Sequence, residues 1–308
     1  MNKYVILLQY IKEWKLPMAF EHYFLGCGFN FLSHNKTQEL QKKLMYKKIN
    51  TINKEFKNVI KDLNERYQQD PISEKNETNW QYWDKDPKPK IVNLCMKSLS
   101  ELCGYNRIVL NDENILNYFV PSEIINQKIK KRYITKTHFS DILRVNLLYR
   151  YGGAWLDSTI FITKKPKELF NHEFWTIKRK QSRIPSKGMW VGYAMAATKN
   201  NKLMYYLSNL FDIYWEKHNT MIDYFLIDIF INILYCEDKE IKQMIDNVEF
   251  NNEQCIELEN ILNTNIDKIP NNLSNTCIFK LNWKLSKQEE KNGEKTFYRK
   301  LLDEYEID

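Results

Sequence analysis

Residues 137–161, THFSDILRVNLLYRYGGAWLDSTIF, constrain the fold of this chain more than any other stretch. Phe139, Ile142, Leu143, Leu147 and Leu148 recur at the three-to-four spacing of a helix with one buried face. Thr137 or Ser140 suits the helix start, and Gly152-Gly153 suits its end after Tyr151. Ala154–Asp157 then reads as a short buried strand whose last residue is a carboxylate. Asp141 and Arg144, three apart, project from one face near the helix start. There the helix dipole and unpaired amides favour anionic or hydroxyl-rich ligands. A carboxylate ending a buried strand is unfavourable unless an ion pair, a metal or ligand hydroxyls compensate it. On spacing alone, an Asp141–Arg144 surface pair with Asp157 capping a turn is the equal alternative.

Strand and helix patterns alternate around this segment. Trp80–Trp83 reads as a strand, Ile91–Cys103 as a helix closed by Gly104, and Arg107–Leu110 as a second, continuously apolar strand. Strand, helix, strand at this spacing predicts right-handed crossovers and a largely parallel sheet, with ligands beyond the carboxyl ends of its strands. Residues 221–236, MIDYFLIDIFINILYC, read as a buried helix, with Asp223 and Asp228 five apart and so on different faces. Before residue 75 the pattern is different. From Thr37 to Tyr67 apolar residues follow a helical period, and the opposite face carries Lys42, Lys43, Lys47, Lys48, Lys54, Lys57 and Lys61. The polar stretch 68–79, with Pro71, reads as a linker. The predicted organisation is therefore a lysine-rich helical N-terminal extension over residues 1–75 and an α/β domain over 76–308.

The charge narrows the partners only partly. The net charge is +7, and the first 70 residues hold twelve Lys/Arg against seven Asp/Glu. Such a balance suits phosphate-bearing ligands, an anionic membrane surface or nucleic acid. Basic residues and aromatics do not interleave in a recognisable nucleic-acid motif, so no nucleic-acid partner is expected. The lysine face of the N-terminal helix is either a solvated surface or a peripheral membrane contact. The opening MNKYVILLQYIKEW is too short an apolar run for a signal peptide, and no stretch is apolar enough to span a bilayer. A cytoplasmic chain, peripheral on the membrane at most, is the expectation. Cys27, Cys95, Cys103, Cys236, Cys255 and Cys277 form no zinc-like spacing and are expected as reduced, mostly buried thiols.

The run SDILRVNLLYRYGGAWLD resembles the signature of capsular-polysaccharide-synthesis-type glycosyltransferases, relatives of glycosyltransferase family 32 and, more distantly, of the large clostridial glucosylating toxins. WQYWDKDPKPKIVNLCMKSL, RIVLNDENILNYFVP, MWVGYAMAA, YWEKHNTMIDYFLID and IFKLNWK resemble flanking blocks of that family in the same order. The resemblance implies a GT-A fold, a Rossmann-like sheet binding a nucleotide-sugar, with a UDP-sugar favoured. It implies transfer to a glycan or lipid-linked acceptor in capsule or surface-polysaccharide assembly, with retention of configuration. By position, Asp141 and Arg144 would hold the donor sugar. Gly152 and Gly153 would let the backbone pass close to the donor. Asp157 would be the first carboxylate of the DXD metal motif for Mn²⁺ or Mg²⁺. The sequence departs from that motif, because Ser158 and Thr159 follow and the second carboxylate is missing.

Breaking a sugar–diphosphate bond leaves negative charge on the phosphate and oxocarbenium character on the sugar. Asp157 with a divalent ion would meet the first demand, and Lys280 and Lys284 would close over the diphosphate. Asp223 is expected beneath the reacting sugar, and Trp190 to shape the ligand site through its aromatic face. His138 reads as a cap or surface residue rather than a base. Two other readings stay open: a toxin-like transferase acting on protein, and a catalytically silent glycan-binding or assembly subunit of the same fold.

Overall fold

The computed structural model describes residues 3–26, 34–68, 76–181 and 183–308. The predicted linker and domain boundary at residues 69–75, and Cys27, lie outside the described residues. Three helices open the chain: α1 (Lys3–Trp14), α2 (Leu16–Gly26) and the 33-residue α3 (His34–Arg66). Then β1 (Thr78–Tyr82), α4 (Lys90–Leu102) and β2 (Asn106–Leu110) follow as predicted, and Gly104 turns the chain with φ 66°. Helices α5 (Glu123–Lys130) and α6 (Lys136–Tyr151) lead into β3 (Gly153–Leu156) and β4 (Ile160–Ile162). Beyond them lie β5 (Phe174–Thr176), β6 (Ala194–Ala197), α7 (Lys202–Lys217), α8 (Leu226–Glu237) and α9 (Lys239–Asp246). The chain closes with α10 (Leu258–Ile261), β7 (Ile278–Lys280), a small hairpin, and a last helix over Phe297–Glu304.

The main sheet has the order β2-β1-β3-β6-β5. β1 pairs in parallel with β2 and β3, whereas β6 runs antiparallel to both β3 and β5. The expected parallel arrangement thus holds for β2, β1 and β3, and β6 reverses against its neighbours. A second ladder, β4 against β7, packs under α4 with a core of its own that includes Leu94, Cys95, Phe161 and Phe279. In the main core Tyr10, Trp14, Ile52 and Phe56 of α1 and α3 join Trp155, Leu207 and Phe230, so the N-terminal helices share one apolar cluster with the sheet. This burial explains the one exception on the lysine face of α3. Lys48 is buried and pairs with Asp223 at 2.6 Å. Lys42, Lys43, Lys47, Lys54, Lys57 and Lys61 are exposed.

Helix α6 is capped by Thr135, two residues before the earlier of the predicted caps. Thr135 Oγ1 accepts the His138 amide at 3.2 Å, while the Ser140 hydroxyl donates to the Thr137 carbonyl. Its end is dictated by Gly152 and Gly153, at φ 68° and 99°. A Cβ on Gly152 would lie 2.6 Å from the Lys199 nitrogen, and one on Gly153 would lie 2.4 Å from the Thr78 carbonyl oxygen. Gly152 therefore admits the backbone that follows β6, and Gly153 lets β3 lie against β1. They sit at the amino end of β3, Gly153 about 13 Å of extended chain before Asp157, and what surrounds them there is packed backbone. The helix expected over 221–236 is also shorter: α8 begins at Leu226, and Asp223 lies in the turn before it.

Gly153→Ala combines a left-handed backbone with a backbone clash. It should lower stability by about 2 kcal/mol or more, read as a drop in melting temperature by circular dichroism. The same change at the open turn position Gly293, with nothing near its Cβ, should do less.

Candidate functional site

The carboxyl end of β1 meets the first turn of α6, where Tyr82 packs on Phe139. Asp157 follows β3 directly. Its turn is pinned by three bonds: its own amide to the Tyr193 carbonyl at 2.9 Å, the Ser158 hydroxyl to the Tyr82 carbonyl at 2.8 Å, and the Ile160 amide back to the Asp157 carbonyl at 2.8 Å. Pairing of β4 with β7 sets Ile160 opposite Lys280, which delivers a lysine from 123 residues away to the same turn.

Three charged side chains meet there with Asp141. Arg144 Nη1 lies 3.0 Å from Asp141 Oδ1, and Nη2 lies 3.5 Å from Asp157 Oδ1. The guanidinium lies over the Trp155 ring at 5.2 Å, and Gly192 leaves room for it, since a Cβ there would be 2.8 Å from Nη1. Asp157 Oδ1 also accepts from Trp155 Nε1 at 2.8 Å. Lys280 Nζ donates to Asp157 Oδ2 and to Thr159 Oγ1, both at 2.6 Å. Burial would raise the Asp157 carboxyl, but Lys280 and Arg144 hold it below the ordinary aspartate range. Arg144 is 5% exposed, so it is a buried cation held by two carboxylates, and Asp157 keeps 27% of its side chain open.

A third carboxylate completes the group. Asp228, in the first turn of α8, accepts from Trp190 Nε1 at 2.9 Å. Burial, and then the negative charge of Asp141, raise it to about 7. Tyr224, just before α8, is raised by burial and by the charges of Asp141 and Asp157, which sets its hydroxyl in the same field. Asp223 faces elsewhere, held by Lys48 and bonded to the Phe225 amide at 2.9 Å. Asp223, not Asp228, was the sequence-based expectation beneath the sugar. The structure places Asp223 in the turn before the helix, and Asp228 in its first turn, bonded to Trp190 and within the field of Asp141.

Three further expectations change. Trp190 is 1% exposed and spends its ring on Asp228 and Tyr235, so it orients a carboxylate and has no aromatic face open to a sugar. Lys284 is exposed, 5.7 Å from the Trp283 ring, and does not join Lys280 at Asp157. His138 is buried, and its Nε2 accepts from Trp215 Nε1 at 3.1 Å. That leaves its proton on Nδ1 toward Asp141, a structural role. Tyr193 lies within MWVGYAMAA but carried no sequence signal for the site; its ring lies 5.3 Å from Lys280 Nζ.

The Mn²⁺ or Mg²⁺ expected at Asp157 does not fit this donor set. Hard divalent ions need several charged oxygens. Here one carboxylate oxygen and the Thr159 hydroxyl are both bonded to an ammonium. Among the described residues no cluster of three His, Cys, Asp or Glu converges to hold a metal.

The family described as "Capsular polysaccharide synthesis protein" matches residues 30–301. The chain belongs to this family. The match spans the Asp141–Arg144–Asp157 site, Asp228 and Lys280, and it also takes in α3, so the family's shared region includes the long N-terminal helix. The curated proteins yield no match. Among solved structures, the PaToxG glycosyltransferase is similar at 18% identity, with 65% of this chain and 83% of that chain covered and a TM-score of 0.34.

The raised Asp228 carboxyl gives a signed pH dependence. The native state keeps a proton there that the unfolded chain has released, so this group's stability is greatest at low pH. It is lost as pH rises from the ordinary value of 3.8 to about 7. Asp228→Asn keeps the acceptor for Trp190 and removes the titration. In urea unfolding it should match the parent near pH 4 and exceed it by a few kcal/mol above pH 7.

Proposed function

We propose that this member of the capsular polysaccharide synthesis family is a glycosyltransferase of surface-polysaccharide assembly that uses a nucleotide-activated sugar, a UDP-sugar first among candidates. The observation that carries the proposal is the buried Asp141–Arg144–Asp157 chain at the carboxyl ends of β1 and β3, where open α/β sheets take their ligands. The sheet order and the reversed β6 support a GT-A reading. Carboxylates fixed by a buried guanidinium are preorganised acceptors for sugar hydroxyls, so the site orients a hexose without rearranging. Asp141 and Asp157 hold the donor hexose, and Asp228 takes the position beneath the reacting carbon first assigned to Asp223. Near pH 7 it exists in both protonation states, which suits an acid–base group next to a developing cation.

The acceptor is best accommodated on the other side of the Asp223–Phe225 turn. A cavity of about 940 Å³ opens there, lined by His22, Gln38, Lys42, Arg183, Asp223 and Phe225. Amide, imidazole and cationic groups suit a saccharide bearing phosphate, as a lipid-linked acceptor would. Exposed Lys54, Lys57 and Lys61 on α3, with Leu8, Leu16 and Phe20 exposed on α1 and α2, support peripheral contact with an anionic membrane. Among the described residues no helix is long and apolar enough to cross one.

Incubation with UDP-, GDP- and CMP-sugars should release nucleotide from one donor. Asp141→Asn and Arg144→Lys should each lower kcat/KM by about 100-fold or more. Failure of every donor to bind by calorimetry would sink the transferase reading and leave a glycan-binding or assembly subunit. With a working acceptor, Arg183→Ala should raise the acceptor KM and leave donor hydrolysis unchanged. Co-sedimentation with anionic vesicles tests the membrane contact, which should weaken when Lys54, Lys57 and Lys61 are replaced together by Gln.

A further inference from the structure

We propose that the Lys280 ammonium takes the place of a divalent cation, so that this chain binds and activates its donor without metal. The inference rests on the glycosyltransferase reading and adds to it the identity of the electrophile. Lys280 Nζ sits between Asp157 Oδ2 and Thr159 Oγ1, 2.6 Å from each. These are the two positions where a metal-binding version of the site would place its carboxylates. One of them is a hydroxyl, which offers a divalent ion no charge but serves well as an acceptor for N–H. The other carboxylate is already neutralised, with Arg144 and Trp155 on Oδ1 and Lys280 on Oδ2. A divalent ion entering here would have to displace the ammonium and then sit against it.

The position of the lysine is built, not incidental. Its backbone is fixed by the β4–β7 ladder, by its own amide to the Cys255 carbonyl at 2.7 Å, and by the Leu281 amide to the Thr159 carbonyl at 2.9 Å. The Tyr193 ring faces the ammonium at 5.3 Å, a cation–ring contact that helps hold the side chain in place. An ammonium carries three donors, and the two contacts to Asp157 and Thr159 use two of them. The third serves the donor diphosphate, and the side chain keeps 26% of its surface open for that approach.

The reaction balances without an added ion. The bond from the anomeric carbon to the β-phosphate oxygen breaks, and its electron pair stays on that oxygen. Lys280 donates a hydrogen bond to the oxygen and remains protonated. The acceptor hydroxyl oxygen forms the new bond to the anomeric carbon, and its proton leaves with the nucleoside diphosphate. The ammonium meets charge that grows as the bond breaks, which is where preorganised charge is most effective.

Calorimetry of the full chain with UDP, GDP and CDP, each in EDTA and again in MnCl₂, tests the inference. The nucleotide that binds should do so with the same Kd in both buffers, within about threefold. Lys280→Met should weaken that Kd by about tenfold or more in EDTA, and Mn²⁺ should not restore it. The double change Thr159→Asp with Lys280→Ser rebuilds a second carboxylate and should bind only with Mn²⁺. Binding by the parent chain that appears only with Mn²⁺ would overturn the inference and leave the transferase reading standing. The parent comparison needs no variant, so a Lys280 substitution that fails to fold does not shield the idea. No nucleotide bound in either buffer, with no donor hydrolysed, would overturn the underlying reading as well.

Discussion

The arrangement of this site depends on the buried guanidinium of Arg144. A cation at 5% exposure is tolerated only with anionic partners and hydrogen bonds around it, and Asp141 and Asp157 supply both. The requirement runs both ways. Each carboxylate would be expensive where it stands without the guanidinium between them, so the three side chains hold one another in a fixed geometry. Trp155 stiffens the set from below through its ring and its indole N–H. What results is a row of fixed charges facing the sheet's carboxyl edge, already ordered before any ligand arrives.

The rest of the fold is a set of devices that bring other chain segments to that row. The glycines after α6 allow β3 to begin in contact with β1, which determines where Asp157 emerges. The β4–β7 ladder adds Lys280 and the first turn of α8 adds Asp228. The Lys48–Asp223 pair ties α3 to the turn preceding α8, so the N-terminal helices take part in placing Tyr224 and Asp228. A single apolar cluster running from Tyr10 through the sheet to Phe230 makes these placements cooperative. Charge balance follows the same logic: Lys280 offsets Asp157, whereas burial and the charge of Asp141 outweigh Arg144 at Asp228, which rises toward neutral pH instead.

The local pattern of the sequence carried the central helix, the glycine stop and the strand that follows, and with them Asp141, Arg144 and Asp157. These lie within 17 residues of one another, and helical and strand periods are short-range properties. The flanking strands were placed correctly for the same reason, although β2 is an edge strand in which only Leu110 is buried, against the expectation of a buried one. Residues 221–225 were read as helix because their apolar content continues that of α8. Asp223, however, finds its bonds in a turn and in Lys48, and that partner is 175 residues away. Trp190 had the right composition for a sugar platform, yet its indole N–H is committed to Asp228, a pairing that no spacing reveals.

What the sequence determined by itself was the α/β character, the helix-glycine-strand unit and the membership of a family, all of which follow from short-range periodicity and local motif. Only the tertiary structure decided which third carboxylate joins Asp141 and Asp157, and that a lysine stands between Asp157 and Thr159. The physical reason is that ion pairs are settled by distance and burial. Strands far apart in the chain reach hydrogen-bonding range only after the sheet has formed, and a carboxylate's charge state is set by whatever the folded chain then brings beside it.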